Sequence, residues 1–86
     1  MSWEIVFTRQ AEKDLSQIAK SPLKAKAFRL LSVLEEDPFC PPWEKLTDLD
    51  HVYSRRINLQ HRLVYKVMEQ EKTIVIIRMW THYGDN

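Results

Sequence analysis

A chain of 86 residues is the size of one domain and buries only about 60–65% of the surface its unfolded form exposes, so one core with little to spare is expected. With 44% hydrophobic residues, 29% charged residues and a single glycine, the composition suits a globular domain rich in regular structure and excludes disordered and collagen-like chains. The formal net charge of +1 excludes a uniformly basic nucleic-acid binder, so any contact with nucleic acid must be local.

The N-terminal stretch MSWEIVFTRQ has neither the basic head nor the apolar run of an export signal. Trp3, Ile5 and Phe7 alternate with Glu4 and Val6, which predicts a strand over residues 3–7 with one strongly apolar face. Thr8 is placed to cap a helix in which Ala11, Leu15 and Ile18 form one buried stripe. Ser21-Pro22 repeats the start signal, a capping hydroxyl followed by proline at the first helical position. Leu23, Ala27, Leu30, Leu31 and Leu34 carry the stripe of this second helix, and Asp37-Pro38 ends it. The two helices form a hairpin.

Residues 38–50 contain three prolines and no periodicity, which predicts a loop, with Glu44 inside it. Cys40 in this loop is the only cysteine, so an internal disulfide is excluded and a reducing compartment fits. Tyr53 to Asn58, Arg62 to Met68 and Thr73 to Trp80 then predict three strands joined by short polar turns, an antiparallel meander. In the last of them Ile74 to Ile77 is apolar without alternation, which calls for cover on both faces or a central place in the sheet. No uncharged stretch approaches the ~18 residues of a membrane span, and a cytoplasmic protein is expected. The predicted fold is α+β, β-α-α-β-β-β, a small twisted antiparallel sheet with a helical hairpin on one face, one domain over residues 1–86.

Charge is segregated. Between His51 and Met68 stand four bases, Arg55, Arg56, Arg62 and Lys66, and no carboxylate. Alternation puts Arg62 and Lys66 on the strand face away from Leu63, Tyr65 and Val67, and puts Arg78, Trp80 and His82 on one common face of the last strand. Cations beside aromatics and a histidine make a cradle for a phosphodiester, because arginine offers a planar fork to phosphate oxygens and an aromatic ring stacks on an unpaired base. The same arginines also fit a solvated surface, Glu44 a solvated loop carboxylate, Trp43 a lid over the core edge, and His82-Tyr83 a frayed terminus. Scattered histidines, one cysteine and no glycine-rich loop offer no metal or nucleotide motif, so no cofactor is expected.

Taken together, YSRRINLQHRLVY, the WEKL segment before it, and an apolar strand ending in HY resemble the YoeB-type toxins of the RelE superfamily of bacterial toxin-antitoxin systems. The resemblance covers most of the chain. It implies a ribosome-dependent endoribonuclease that cuts mRNA in the ribosomal A site and is silenced by a cognate YefM-like antitoxin, with a homodimer possible and no membrane partner. By the same resemblance the base-like glutamate falls on Glu44, the phosphate-binding arginines on Arg56 and Arg62, and the terminal pair on His82 and Tyr83. Arg55, Lys66, Arg78 and Trp80 join them as candidate RNA contacts.

Those residue types suit RNA cleavage without a metal: a base for the ribose 2′-OH, cations for the charge growing on phosphorus, and an acid for the departing 5′-oxygen. A bell-shaped pH profile is the expected signature. The chain departs from the pattern by adding Gly84, Asp85 and Asn86 after the HY pair. Two alternatives stand beside this reading, a ParE-like toxin that binds DNA gyrase without catalysis, and a plain RNA-binding module.

Overall fold

The structure, a computed structural model, describes residues 2–45, 50–58 and 60–81, with backbone alone for Trp80 and Thr81. Its elements run β1 (Glu4–Phe7), α1 (Arg9–Ala19), α2 (Lys24–Glu36), β2 (Glu44–Lys45), β3 (Val52–Arg56), β4 (Arg62–Met68) and β5 (Thr73–Thr81). The five strands form one sheet in the order β1-β5-β4-β3-β2.

The meander is antiparallel, as its short turns require, but β1 pairs with β5 in parallel, Ile5 opposite Ile74 and Phe7 opposite Ile76. The sheet is therefore mixed and not purely antiparallel. Strand periodicity carries no information on direction, and a parallel neighbour needs a crossover of a dozen residues or more. The two helices between β1 and the meander supply one.

Helix α1 begins where its cap predicts: Thr8 Oγ1 accepts from Ala11 N at 3.1 Å and donates to Ile77 O at 3.2 Å, so one hydroxyl ties the helix start to β5. Its buried residues are Ala11, Asp14 and Ile18, with Leu15 only partly covered. A carboxylate thus stands on the apolar stripe. Helix α2 starts two residues later than Pro22, because Ser21 Oγ is used in the turn between the helices, donating to Ile18 O and accepting from Leu23 N. It ends at Glu36, and Asp37 is extended as a residue before proline must be.

Ala27 and Leu34 from α2 meet Ala11 and Ile18 from α1 over Leu63, Tyr65, Val67, Ile74, Ile76 and Met79 of the sheet. β5 lies between β1 and β4, and Ile74 and Ile76 are fully buried while Val75 and Ile77 are half-buried. The unbroken apolar run therefore does alternate in burial. No helix of the described residues is long and apolar enough to cross a membrane.

Two departures from regular pairing shape the site. The segment expected as a loop contains β2, where Glu44 pairs with Ser54 and Lys45 with Tyr53. Along β4 and β5, Tyr65 faces Ile76, Val64 faces Arg78 and Arg62 faces Thr81, so β5 carries an extra residue between each successive pair. Each extra residue is a β-bulge, which leaves a backbone group outside the ladder and turns the following side chains.

Candidate active site

Because paired residues share a face and i, i+2 residues share a face, β2, β3 and β4 bring Glu44, Ser54, Arg56 and Arg62 to the same side of the sheet. Arg56 lies directly opposite Arg62, an arrangement that repels unless an anion is near. Glu44 supplies one: Arg62 Nη1 donates to Glu44 Oε1 at 2.5 Å and to Ser54 Oγ at 3.2 Å. These groups border a cleft of about 230 Å³ with Pro42 and Trp43 on its other wall. Two guanidiniums, Arg56 and Arg62, stand there with one carboxylate, which pairs with Arg62, so the cleft keeps an excess positive charge suited to one further anion.

The turn joining the two arginine strands is set by Asn58, whose Oδ1 accepts from Gln60 N at 2.9 Å and His61 N at 2.7 Å. The strand opposite Glu44 is set by the Ser54-Val64 pair. Ser54 is 1% exposed and gives Arg62 a fixed second acceptor. Alternation from Arg56 would have found it, since Ser54 is two residues earlier on the same face.

Arg55 does not join its neighbour Arg56. It is 3% exposed, on the core side, where Nε donates to Tyr65 Oη at 3.2 Å and Nη2 to Pro38 O at 3.2 Å and to Cys40 O. Tyr65 Oη donates in turn to Pro38 O at 3.2 Å. Burial pushes the Tyr65 hydroxyl above its ordinary pKa, against the opposing pull of the Arg55 charge. Arg55 borders the cleft with its stem, but its guanidinium holds the loop that leads to Trp43 and Glu44. Its assignment as an RNA contact came from the run of bases, and the alternation of β3 overrides it.

Arg55→Ala is expected to lower stability by about 2–3 kcal/mol in urea unfolding, because it strips the donors from buried carbonyls and from Tyr65. Arg56→Ala, on an exposed position, should change it by no more than about 0.5 kcal/mol. Equal small effects would remove the loop-holding role of Arg55.

Lys66 is exposed, paired with Val52 and Val75, and stands roughly 13 Å along β4 from Arg62 beside His51. It is outside the cleft. Arg78 is also elsewhere: its Nε donates to Asp14 Oδ2 at 2.8 Å on the α1 side of the sheet. Alternation along β5 keeps Arg78 on the side of the buried Ile74 and Ile76, which is the helix side of the sheet and not the side of Arg62. Trp80 lies in β5, but its side chain is outside the described residues, as are His82 and Tyr83. The backbone of Thr81, next in sequence to His82, pairs with Arg62. Among the described residues no group of three or more His, Cys, Asp and Glu side chains is arranged to hold a metal ion.

A family model described as the YoeB-like toxin of bacterial type II toxin-antitoxin systems matches residues 7–83, which include both helices and strands β2 to β5. The chain belongs to the YoeB toxin family. Toxin YoeB of Streptomyces coelicolor is 34% identical over 84 residues, covering 92% of this chain and 98% of that one. A YoeB/ParE toxin from Agrobacterium tumefaciens has a solved structure that superposes with a TM-score of 0.84 at 26% identity, over 93% of this chain and 99% of the other. YoeB of Staphylococcus aureus, solved as a dimer, superposes with a TM-score of 0.81 at 31% identity over 96% and 100% of the two chains, and is also known in a YoeB-YefM complex. The superposed YoeB toxins share the fold of this chain over nearly its whole length, and the family places this chain as the toxin of a type II toxin-antitoxin pair.

Proposed function

We propose that this YoeB-family toxin is an endoribonuclease that cleaves mRNA in the ribosomal A site and so inhibits translation. The observation that carries the reading is the cleft itself: a carboxylate and two arginines on one sheet face, with one positive charge left over, facing the register position of Thr81. In the reaction Glu44 takes the proton from the ribose 2′-OH, and the 2′-oxygen attacks phosphorus. Arg56 and Arg62 hold the charge that develops on the phosphoryl oxygens. The bond from phosphorus to the 5′-oxygen breaks as His82 donates a proton to the leaving oxygen, giving a 2′,3′-cyclic phosphate and a 5′-hydroxyl. Tyr83 orients the scissile phosphate or stacks on a base. No step calls on a metal.

Arg62 approaches the carboxylate and Ser54 through Nη1 alone. Nε and Nη2 take no part in those contacts, which suits a guanidinium that must also meet a phosphate. A net charge of +1 supplies little non-specific attraction to free RNA. That supports a ribosome that presents the mRNA, and with it a cytoplasmic site of action. By the precedent of its Staphylococcus aureus relative, the partner that silences the toxin is a YefM-like antitoxin, and the free toxin pairs with a second copy.

The test maps mRNA 5′ ends on ribosomes stalled with a filled or open A site, using wild type and His82→Ala. Cleavage by wild type, reduced roughly 10²–10⁴-fold in the variant, is expected. Equal cutting by both removes His82 as the acid. No cutting by wild type defeats the nuclease reading and leaves a toxin that acts by binding.

A further inference from the structure

We propose that Trp43 is a stacking platform for a nucleobase of the RNA bound at this cleft, and so a residue that sets which sequences are cut. The inference rests on the nuclease reading for its substrate, and it competes with a lid over the core edge. Three observations favour a platform.

The ring is held in place. Its Nε1 donates to Phe39 O at 2.9 Å, its centroid lies 5.2 Å from Tyr53 at an interplanar angle of 90°, and 6.3 Å from Phe39 at 71°. Tyr53 is itself stacked on the buried Tyr65 at 5.9 Å. An aromatic surface fixed before binding loses little entropy when a ligand settles on it.

The ring is also left open. Trp43 is 38% exposed, although the sequence offers a core against which an indole of this size is normally spent. Both aromatic neighbours meet it at a steep angle, and neither lies parallel to it. Parallel stacking is the contact a base makes with an aromatic side chain.

The position matches a nucleotide. Trp43 immediately precedes Glu44 and shares the cleft with Arg56 and Arg62. One ribose joins a base to its phosphate, so a stacking surface next to two phosphate-binding guanidiniums can engage both ends of the same unit. Stacking tolerates every base but favours the larger purine surfaces, which makes purine preference beside the cut the expected signature.

The experiment compares wild type, Trp43→Phe and Trp43→Leu in two arms, after urea unfolding has shown all three folded. In the first arm, cleavage 5′ ends are mapped on programmed ribosomes and the base composition beside the cut is scored. Trp43→Leu should raise the apparent KM roughly 5- to 100-fold and flatten the base preference, while Trp43→Phe keeps most of both. A uniform fall in cutting with the base preference unchanged, tracking lost stability, is the result of a mere lid and overturns the proposal.

In the second arm, an uncleavable short 2′-O-methyl RNA and the same RNA with single abasic positions are titrated against the three proteins. Wild type should lose affinity at one abasic position and Trp43→Leu should not distinguish them. If wild type fails to cut on the ribosome, this arm alone decides: base-dependent binding that needs Trp43 keeps the platform while the nuclease reading falls, and its absence removes both. Loss of antitoxin binding in Trp43→Leu with both RNA arms unchanged assigns the ring to a protein partner and also overturns the proposal.

Discussion

Arg62→Ala is expected to reduce ribosome-dependent mRNA cleavage by roughly 10²–10⁴-fold while leaving the urea midpoint almost unmoved. The two effects separate because the guanidinium contacts a carboxylate that is 67% exposed. Exposed ion pairs contribute only about 0–1 kcal/mol to folding, whereas a cation placed against a developing phosphorane charge acts in full on the barrier. Arg62→Lys keeps the charge but loses the Nε and Nη2 donors that the contacts to Glu44 and Ser54 leave for a phosphate. It should fall between wild type and alanine. Glu44→Gln removes the base and the anion paired with Arg62, so it should match the alanine variant in rate and keep the fold. A full rate in Glu44→Gln would take Glu44 out of the base role and leave the arginines as a binding site only.

The largest effect on stability belongs to Asp14. Its Oδ2 accepts from Arg78 Nε at 2.8 Å and from Met79 N at 3.0 Å, and Gln10 Nε2 reaches Oδ1 at 3.3 Å. Met79 lies within the irregular stretch of β5 between the Arg78 and Thr81 pairs, where the β4 ladder offers it no register partner. The carboxylate on α1 satisfies the N–H that the bulge releases. Asp14→Ala leaves that N–H and the Arg78 guanidinium without an acceptor, at a cost of about 2–4 kcal/mol. For a domain of 86 residues the loss corresponds to a melting temperature lower by roughly 10–25 °C. Asp14→Asn keeps an acceptor for Met79 and should lose about half as much.

The same residue gives folding a pH dependence. Burial by itself raises the Asp14 pKa, but hydrogen bonds from Arg78, Met79 N and Gln10, together with the Arg78 charge, outweigh it and hold the carboxyl below its usual value of 3.8. The folded chain therefore binds this proton less readily than the unfolded chain. Its contribution is fully present above the unfolded pKa and is lost as pH falls through the folded one. Wild type should lose its advantage over Asp14→Asn below about pH 4, measured as the difference between their urea midpoints across acid pH. A difference independent of pH would show that Asp14 stabilises without its charge.

Element identity was largely legible in the chain because it follows local periodicity and caps. Thr8 before the Ala11-Ile18 stripe, Asp37-Pro38 after Leu34 and the β4 alternation all hold to within a residue or two. β2 was not legible, since two residues between prolines and a polar run carry no period at all. Of the candidate site, Glu44, Arg56 and Arg62 come together on one face, and the resemblance of the SRR and HRLVY segments pointed to them. Arg55, Lys66 and Arg78 shared only their charge with that group, and charge does not state a direction.

What the sequence by itself determined is the set of strands and helices, the apolar face each buries and the family to which the chain belongs, because these depend on neighbours a few positions apart. What only the tertiary structure decided is the parallel docking of β1, the short strand that carries Glu44 to Ser54, the turn of Arg55 into the core, and the bulges that place Thr81 opposite Arg62. Each of these depends on a contact between residues distant in the chain. A buried donor or acceptor is satisfied by whichever group the fold brings near, and residue type alone does not name its partner.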